Sequence, residues 1–483
     1  MNLQLLRDGG DDALIDRLEM QEIAKSYENP SMLIIGSHSA LDAWSGARDY
    51  GLKAIIYTTR ERAVIYLQNA IAGKPDEFIE DLPAVVSRDV HVVSDLKDLK
   101  GRKWRYAILV LDRYDEILKH VDELIELEAV QIPNRAFTVY VGGDDYCSKI
   151  ENDFSVPIFG SRRLLKIENR GIERDYYWFL EKAGIPYPKA IEFKVTVSGI
   201  SFKERVDRPL ILKAPHPERE FERAFIFAAD SEDLELRVER AIERGELTLE
   251  CLKHARVEEL ILGPHANFNF FFSPLNELKS WGSVEEFYAK LYKLTLDEAR
   301  TCLANEFLSI DERRETILDG LKRLPADVQL KLLEKITPSF EVTLHALVSI
   351  RESLLKDVLR CANRLILTLR EHEPPGIIGA WCLQTLITWG LPSEYGLPAS
   401  LKPQIAVDEL SFGLYDTSKA EAPMHIPVTQ DLALRHGGGT NVHMGIGGQY
   451  VNARYARKMS LGDRIALEFR RAVQGGLLHL LVT

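Results

Sequence analysis

The sequence predicts two architectures in series: a doubly wound α/β domain at the N-terminus, then α+β structure. Three observations carry this. Short apolar strand candidates alternate with helical patterns through about the first 150 residues. The first strand candidate runs into the small-residue loop Gly36-Ser37-His38-Ser39 and then a helical pattern, the opening of a βαβ unit. From residue 186 onward, strand candidates gather around one helix in a module of about 80 residues.

In order, residues 14–27 read as a helix, with Leu14, Ile15, Leu18, Ile23 and Ala24 on one face and Pro30 past its end. Residues 31–35 are a strand, 40–50 a helix with Gly51 beyond it, and 53–57 the next strand. The alternation continues through strands at 90–93 and 106–110, a helix at 114–127 and a strand expected at 136–141. Two helices flank Ser161-Arg162-Arg163, and Ile185-Pro186-Tyr187-Pro188 is a linker. Residues 209–213, 225–228, 257–262 and 267–272 read as strands, and 231–244 as a helix with Ser231 as its N-cap. Residues 282–304 read as an inserted helical hairpin. A long helix at 353–372 turns Leu354, Leu355, Val358, Leu359, Ala362 and Leu365 inward, and Pro374-Pro375-Gly376 stops it. Residues 377–387 and 404–407 are strand-like, with a loop expected at 388–402. The expected domains are 1–155, 186–263, and a core made of 156–185 with 264–483.

Composition narrows the function. At about 150 residues per domain, 483 residues suggest roughly three domains. Basic residues number 61 against 73 acidic ones, a net charge of −12 that argues against a binder of nucleic-acid backbones. With 46% hydrophobic and 28% charged residues the chain is a globular mix. No apolar run approaches the roughly 20 residues a membrane helix needs, and the first thirty residues lack a signal pattern. The five cysteines include no CxxC pair, so neither a disulfide framework nor a zinc site is expected. A cytoplasmic enzyme or binding protein remains.

Four groups could carry chemistry. Gly36-Ser37-His38-Ser39 sits where open α/β sheets bind ligands, beside a helix N-terminus that favours anions; helix capping by Ser39 is the plain alternative. Lys213 ends an apolar strand, where it could meet a phosphate or simply reach solvent. Glu258-Glu259 could meet an adenine edge or ribose, or be an edge-strand charge. Gln384, Asp431 and Arg435, with the glycines after His436, suit either a metal–phosphate site or a structural Asp–Arg pair. No GxxxxGK[ST], GxGxxG or GxSxG motif occurs in the corresponding places.

Several stretches in fixed order resemble the archaeal formate-dependent ligases of purine biosynthesis. They include Ile34-Ile-Gly-Ser-His-Ser-Ala-Leu41, Val156-Pro-Ile-Phe-Gly160, Arg208-Pro-Leu-Ile-Leu-Lys213, Pro374-Pro-Gly-Ile-Ile-Gly379, Cys382-Leu-Gln384 and Met459-Ser-Leu-Gly-Asp-Arg464. The resemblance implies an ATP-grasp fold with an N-terminal doubly wound pre-ATP-grasp domain. It implies an enzyme that makes 5-formaminoimidazole-4-carboxamide ribonucleotide from its amino precursor, formate and ATP, with Mg2+ or Mn2+. By the same resemblance His38 and Arg351 would bind the ribonucleotide, Lys213 the ATP phosphates, and Glu259 the adenosine. Gln384 and Asp431 would hold the metal, Arg435 would be catalytic, and the chain would form a homo-oligomer, a trimer or hexamer.

The sequence also departs from that family. The segment after Lys213, where the family has a glycine-rich flap, has no glycine and carries Glu218, Glu220 and Glu222. Ile317-Leu318 stands where a substrate-contacting asparagine is expected, and Gly142-Gly143-Asp144-Asp145 replaces a Gly-Ser phosphate loop. These changes motivate a second reading: a non-catalytic or differently specific paralogue acting as a nucleotide-binding partner subunit.

Overall fold

The computed structural model describes residues 14–37, 39–68, 90–142, 147–169, 172–215, 223–333, 335–336, 342–390, 424–437 and 449–483. Helix α1 (Arg17–Lys25) precedes a five-stranded parallel sheet. Its strands are β1 (Ser31–Ile35), β2 (Lys53–Thr59), β3 (Val90–Val93), β4 (Tyr106–Leu111) and β5 (Ala129–Ile132), in the order β3-β4-β2-β1-β5. β1 is buried at every position, and its residues alternate between two cores. Met32 and Ile34 pack with α2 (Ala40–Asp49), while Leu33 and Ile35 pack on the opposite side with Phe137 and Phe154. Covered on both faces, the sheet is doubly wound.

The strand expected at 136–141 is instead helix α3 (Arg135–Tyr140), and the sheet takes β5 in its place. A short apolar run does not reveal its own period. Asn134 decides the outcome: its Oδ1 accepts from the backbone N–H of Ala136 at 2.9 Å and Phe137 at 3.3 Å, as a helix N-cap does. Ser39, in contrast, makes no side-chain capping bond to α2.

After α4 (Tyr176–Lys182) come β6 (Ala190–Ile191), the two-stranded β7 (Lys194–Val195) and β8 (Ile200–Ser201), then β9 (Leu210–Pro215) and β10 (Arg223–Ala228). With β11 (Arg256–Glu259) they build a small antiparallel sheet, order β10-β9-β11-β6. One face packs Leu210, Leu212 and Val257 on Leu234 and Val238 of α5 (Ser231–Glu243). The cap of α5 is Asp230, not Ser231; Ser231 Oγ accepts from Val206 N–H instead.

A third sheet is antiparallel and large. It comprises β12 (His265–Phe272), β13 (Asn305–Glu315), β14 (Val342–Leu347), β15 (Gly379–Gly390) and β16 (Met424–Ala433), ordered β14-β13-β12-β15-β16. β15 continues through 388–390, where a loop was expected; the rest of that loop and residues 404–407 lie outside the described residues. Between β12 and β13 stands the hairpin α6 (Ser283–Tyr292) and α7 (Leu296–Ala304). Phe268, Phe270 and Phe272 pack on Val358, Ala362, Leu365 and Leu369 of α8 (Glu352–His372). Finally, α9 (Leu461–Gly475) lies across α2 and joins the first domain to the third sheet. No described helix is long and apolar enough to cross a membrane. All five cysteines carry free thiols.

Candidate active site

The α8-facing phenylalanines of β12 alternate with Asn267 and Asn269, which point to the other face. Neighbouring strands extend that polar face. Asp311 of β13 is opposite Asn267, Gln384 of β15 is opposite Asn267 on the other side, and Asp431 of β16 is opposite Gln384. Asp311 accepts from Asn267 at 2.8 Å and Asn269 at 2.6 Å, and its Oδ2 lies 2.7 Å from His345 Nδ1. Those bonds hold its carboxyl below the ordinary value against the opposing effect of burial. Arg313 donates to Gln384 Oε1. Gln384 and Asp431 therefore face each other across one strand pair, although 47 residues separate them in sequence.

The small sheet contributes a second charged surface. Lys213 pairs with Arg256 and Phe225 in register, and Ile211 with Glu258 and Phe227. These six share the face turned away from α5. Lys213 is buried, and its Nζ lies 2.6 Å from Glu258 Oε2. Glu258 also accepts from Arg256 Nε at 2.6 Å and from the Tyr177 hydroxyl. Lys213 is thus neither a surface charge nor a snorkelling one. Glu259, next along the strand, points to the opposite face and is paired with Arg208. Burial, reinforced chiefly by Arg313 and Lys322, holds the His265 imidazole of β12 down at about 4.

Arg435 follows β16 and is buried. Its guanidinium donates to Glu168, which also accepts from Leu434 N–H and from Arg135 NH1, each at 3.2 Å. Burial lowers the Arg435 guanidinium and Glu168 opposes this. The next residue, His436, bridges to Asn134 of the first domain, and Asn134 Nδ2 donates to the Ser37 carbonyl at 3.1 Å. Arg62, Tyr114 and Tyr140 also reach this end of the parallel sheet, with Arg62 NH1 3.0 Å from Ser37 Oγ.

The structure brings Gln384 and Asp431 together, with Arg435 just past the end of β16 and Lys213 on the small sheet. Arg351 stands apart. It is exposed, donates to His425 Nδ1 at 2.7 Å, and that histidine is six residues, about 20 Å, from Asp431 along β16. His38, the flap glutamates, Asp144 and Asp145 lie outside the described residues. Asp311 and Glu168 were missed by sequence reasoning. The Asn-Phe-Asn alternation at 267–269 is the signal that could have marked the polar face.

A doubly wound domain followed by a small and a large antiparallel sheet, each with a charged face, makes an ATP-grasp fold. The chain matches a domain of unknown function (DUF1297) over residues 233–394 and 412–483, and a protein family of unknown function (DUF1246) over 32–191. It is 29% identical over 475 residues to the 5-formaminoimidazole-4-carboxamide-1-(beta)-D-ribofuranosyl 5'-monophosphate synthetase of Methanopyrus kandleri, covering 97% of this chain and 100% of the relative. The synthetase of the same name from Methanocaldococcus jannaschii is 28% identical, with the same coverage. The crystal structure of an IMP biosynthesis protein PurP from Thermococcus kodakaraensis shares the fold, with a TM-score of 0.52 and 21% identity over 94% of this chain and 100% of that one. The chain belongs to this synthetase family.

Proposed function

We propose that the protein is an ATP- and magnesium-dependent ligase. It formylates 5-aminoimidazole-4-carboxamide ribonucleotide with formate, giving the formamido ribonucleotide, ADP and phosphate. The juxtaposition of Gln384 and Asp431 in register supports this most directly. In the proposed reaction a formate oxygen attacks the γ-phosphorus, the bond to the β,γ-bridging oxygen breaks, and ADP leaves with that electron pair. The substrate amine then attacks the formyl carbon; phosphate leaves with the C–O pair and the amine gives up a proton. Such chemistry rests on positioning and charge stabilisation.

Gln384 and Asp431 offer oxygen donors only, the ligand type that Mg2+ or Mn2+ takes one or two at a time from protein. Gln384 would exchange its Arg313 partner for the ion. Bound there, a divalent ion would neutralise phosphate charge. Lys213 would exchange Glu258 for ATP phosphate, and Glu259 would release Arg208 to meet the adenosine. His38 and Arg351 are proposed for the ribonucleotide, Arg351 through a rearrangement that frees it from His425. A cytoplasmic homo-oligomer, a trimer or hexamer, accompanies this reading.

ADP release from ATP and Mg2+ should require both formate and the aminoimidazole ribonucleotide. Glu218, Glu220, Glu222 and Ile317 favour the second reading, a nucleotide-binding partner subunit. Nucleotide binding in calorimetry with no ADP release in the full mixture would select it.

A further inference from the structure

A rim of cations surrounds the place where α9 meets β13. Residues 449–475 carry six basic side chains and two acidic ones, in a chain whose net charge is −12. Beneath the rim, Arg464, Glu306 and Glu468 are closed to water. Arg464 donates to both carboxylates. Glu306 Oε1 also accepts from Asn276 Nδ2 and from the Tyr455 hydroxyl, each at 2.7 Å, and Glu468 Oε1 accepts from Ser273 Oγ. Every oxygen of the two carboxylates therefore already has a donor.

Three further cations stand on the outside. Arg454 Nε is 3.5 Å from Glu306 Oε1 and Arg471 Nη1 is 3.1 Å from Glu468 Oε2; their side chains are 30% and 26% exposed. Arg471 Nη2 also donates to Asn276 Oδ1 at 3.1 Å, and the Asn276 carbonyl accepts from the Lys279 backbone N–H at 3.1 Å, which sets Lys279 beside Arg471. Lys279 has no ion-pair partner among the described residues. Burial lowers its ammonium; Arg471, Arg454 and Arg464 add to this, and Glu468 opposes them. The other acid close by, Glu277, is turned to Arg370 and Thr301. Four cations thus meet two carboxylates, and the surplus faces solvent.

Cations crowded in this way repel one another unless an acceptor joins them, and the inner acceptors are used. A planar guanidinium matches phosphate oxygens two at a time, and an ammonium adds a point charge. Arg454 also lies over the Trp281 ring, 5.4 Å from its centre, so an anion drawn to the arginine would change the surroundings of the indole. The rim stands apart from the metal pair. Glu306 is opposite Phe271, and Asn267, which is opposite Gln384, is four residues, about 13 Å, further along β12. We propose that Arg454, Arg471 and Lys279 form a second anion site, which takes the phosphate group of a small molecule. Such a site goes beyond the ligase reading and stands whether or not that reading does.

Inorganic phosphate and AMP are the probes, titrated without Mg2+ at low ionic strength and followed by calorimetry and by tryptophan emission. Phosphate should bind wild type saturably. Its Kd should rise about tenfold or more in Lys279→Met and in Arg454→Met, the loss of a charge-assisted contact, and stay within about twofold in Lys213→Met. The emission change should vanish in Trp281→Phe while the calorimetric Kd stays within about twofold, because a phenylalanine ring still carries the arginine. An AMP Kd about tenfold or more below that of phosphate, and raised by the same variants, assigns the site to nucleotides; an equal Kd assigns it to the phosphate group alone. No saturable binding, a Kd that Lys279→Met and Arg454→Met leave unchanged, or one that moves only with Lys213→Met overturns the site. Should either cation variant not fold, the emission decides: phosphate that leaves wild-type emission unchanged, or changes it equally in Trp281→Phe, is bound elsewhere and overturns the site.

Discussion

Lys213 and Glu258 neutralise each other in a place almost closed to water, with Arg256 and Tyr177 on the same carboxylate. The consequences of removing either partner are unequal. In Lys213→Met the carboxylate keeps Arg256, so the melting temperature should change little while ATP affinity falls about tenfold or more, the loss of a charge-assisted contact. In Glu258→Leu two cations lose their shared partner, and about 3–5 kcal/mol of stability should go, read from denaturant melts. A second residue makes a pH prediction. Burial raises the Asp357 carboxyl to about 7, against the opposing pull of Lys356, 3.5 Å from its Oδ1, and Arg360, at 3.9 Å. The folded protein therefore holds this proton up to about pH 7, whereas the unfolded chain releases it near 4. Unfolding releases the proton in that window, so the contribution to stability falls as pH rises from 4 to 7 and stays lost above it. At about 1.4 kcal/mol per unit the penalty at pH 8 is on the order of 3–4 kcal/mol. Asp357→Asn should raise the melting temperature at pH 8 and leave it nearly unchanged at pH 4; an equal gain at both would remove the explanation.

At the scale of elements, α2 and α9 cross with no room for a side chain. A Cβ on Gly462 would lie 1.9 Å from the Asp42 carbonyl oxygen, and one on Gly46 2.1 Å from the Gly462 carbonyl oxygen. Below the crossing, Arg464 is fully buried and bonds Glu306 at 2.8 Å and Glu468 at 3.0 Å, tying α9 to β13. Gly462→Ala should cost about 1–3 kcal/mol or more, as overpacking does. Gly475→Ala, in the last turn of α9 with its nearest neighbour a flexible Leu477 methyl at 3.5 Å, should instead gain about 0.5–1 kcal/mol. Paired melts of the two variants check both. The elements also show what the sequence could reveal. β1, β2, β4 and the long α8 were legible because each buries a continuous apolar run or a clear stripe. β13 was not: it reads Asn-Glu-Phe-Leu-Ser-Ile-Asp-Glu-Arg-Arg-Glu, with polar residues bonded to one another across the sheet instead of to water. β16 carries Pro427, which argues against a strand, and is tolerated because β16 is the edge of its sheet. Asp431 and Gln384 could be named from motif resemblance, but their pairing depends on that unexpected strand.

For the whole molecule, the proposed nucleotide site draws on two sheets, and both bring acidic groups to it. Glu258 stands beside Lys213 on the small sheet; Asp311 and Asp431 stand on the large one. The chain as a whole carries −12. ATP alone would add its own negative charge to that surface, and Lys213 and Arg313 each already serve an acceptor. Binding should therefore depend on a divalent ion more than on the lysine's charge alone. The ligand stabilises the folded state by RT ln(1 + [L]/Kd), about 2.7 kcal/mol at one hundred times Kd. ATP with Mg2+ should raise the melting temperature of the intact protein accordingly, and EDTA should remove most of the gain. Asp431→Asn should reproduce the EDTA result with Mg2+ present, because it weakens the metal pair and leaves the small sheet intact. Lys213→Met, with its affinity about tenfold lower, should keep about half of the gain with Mg2+ present. An ATP shift that survives EDTA in wild type would overturn the dependence on a divalent ion, and one that Asp431→Asn leaves untouched would place the metal elsewhere than at Gln384 and Asp431.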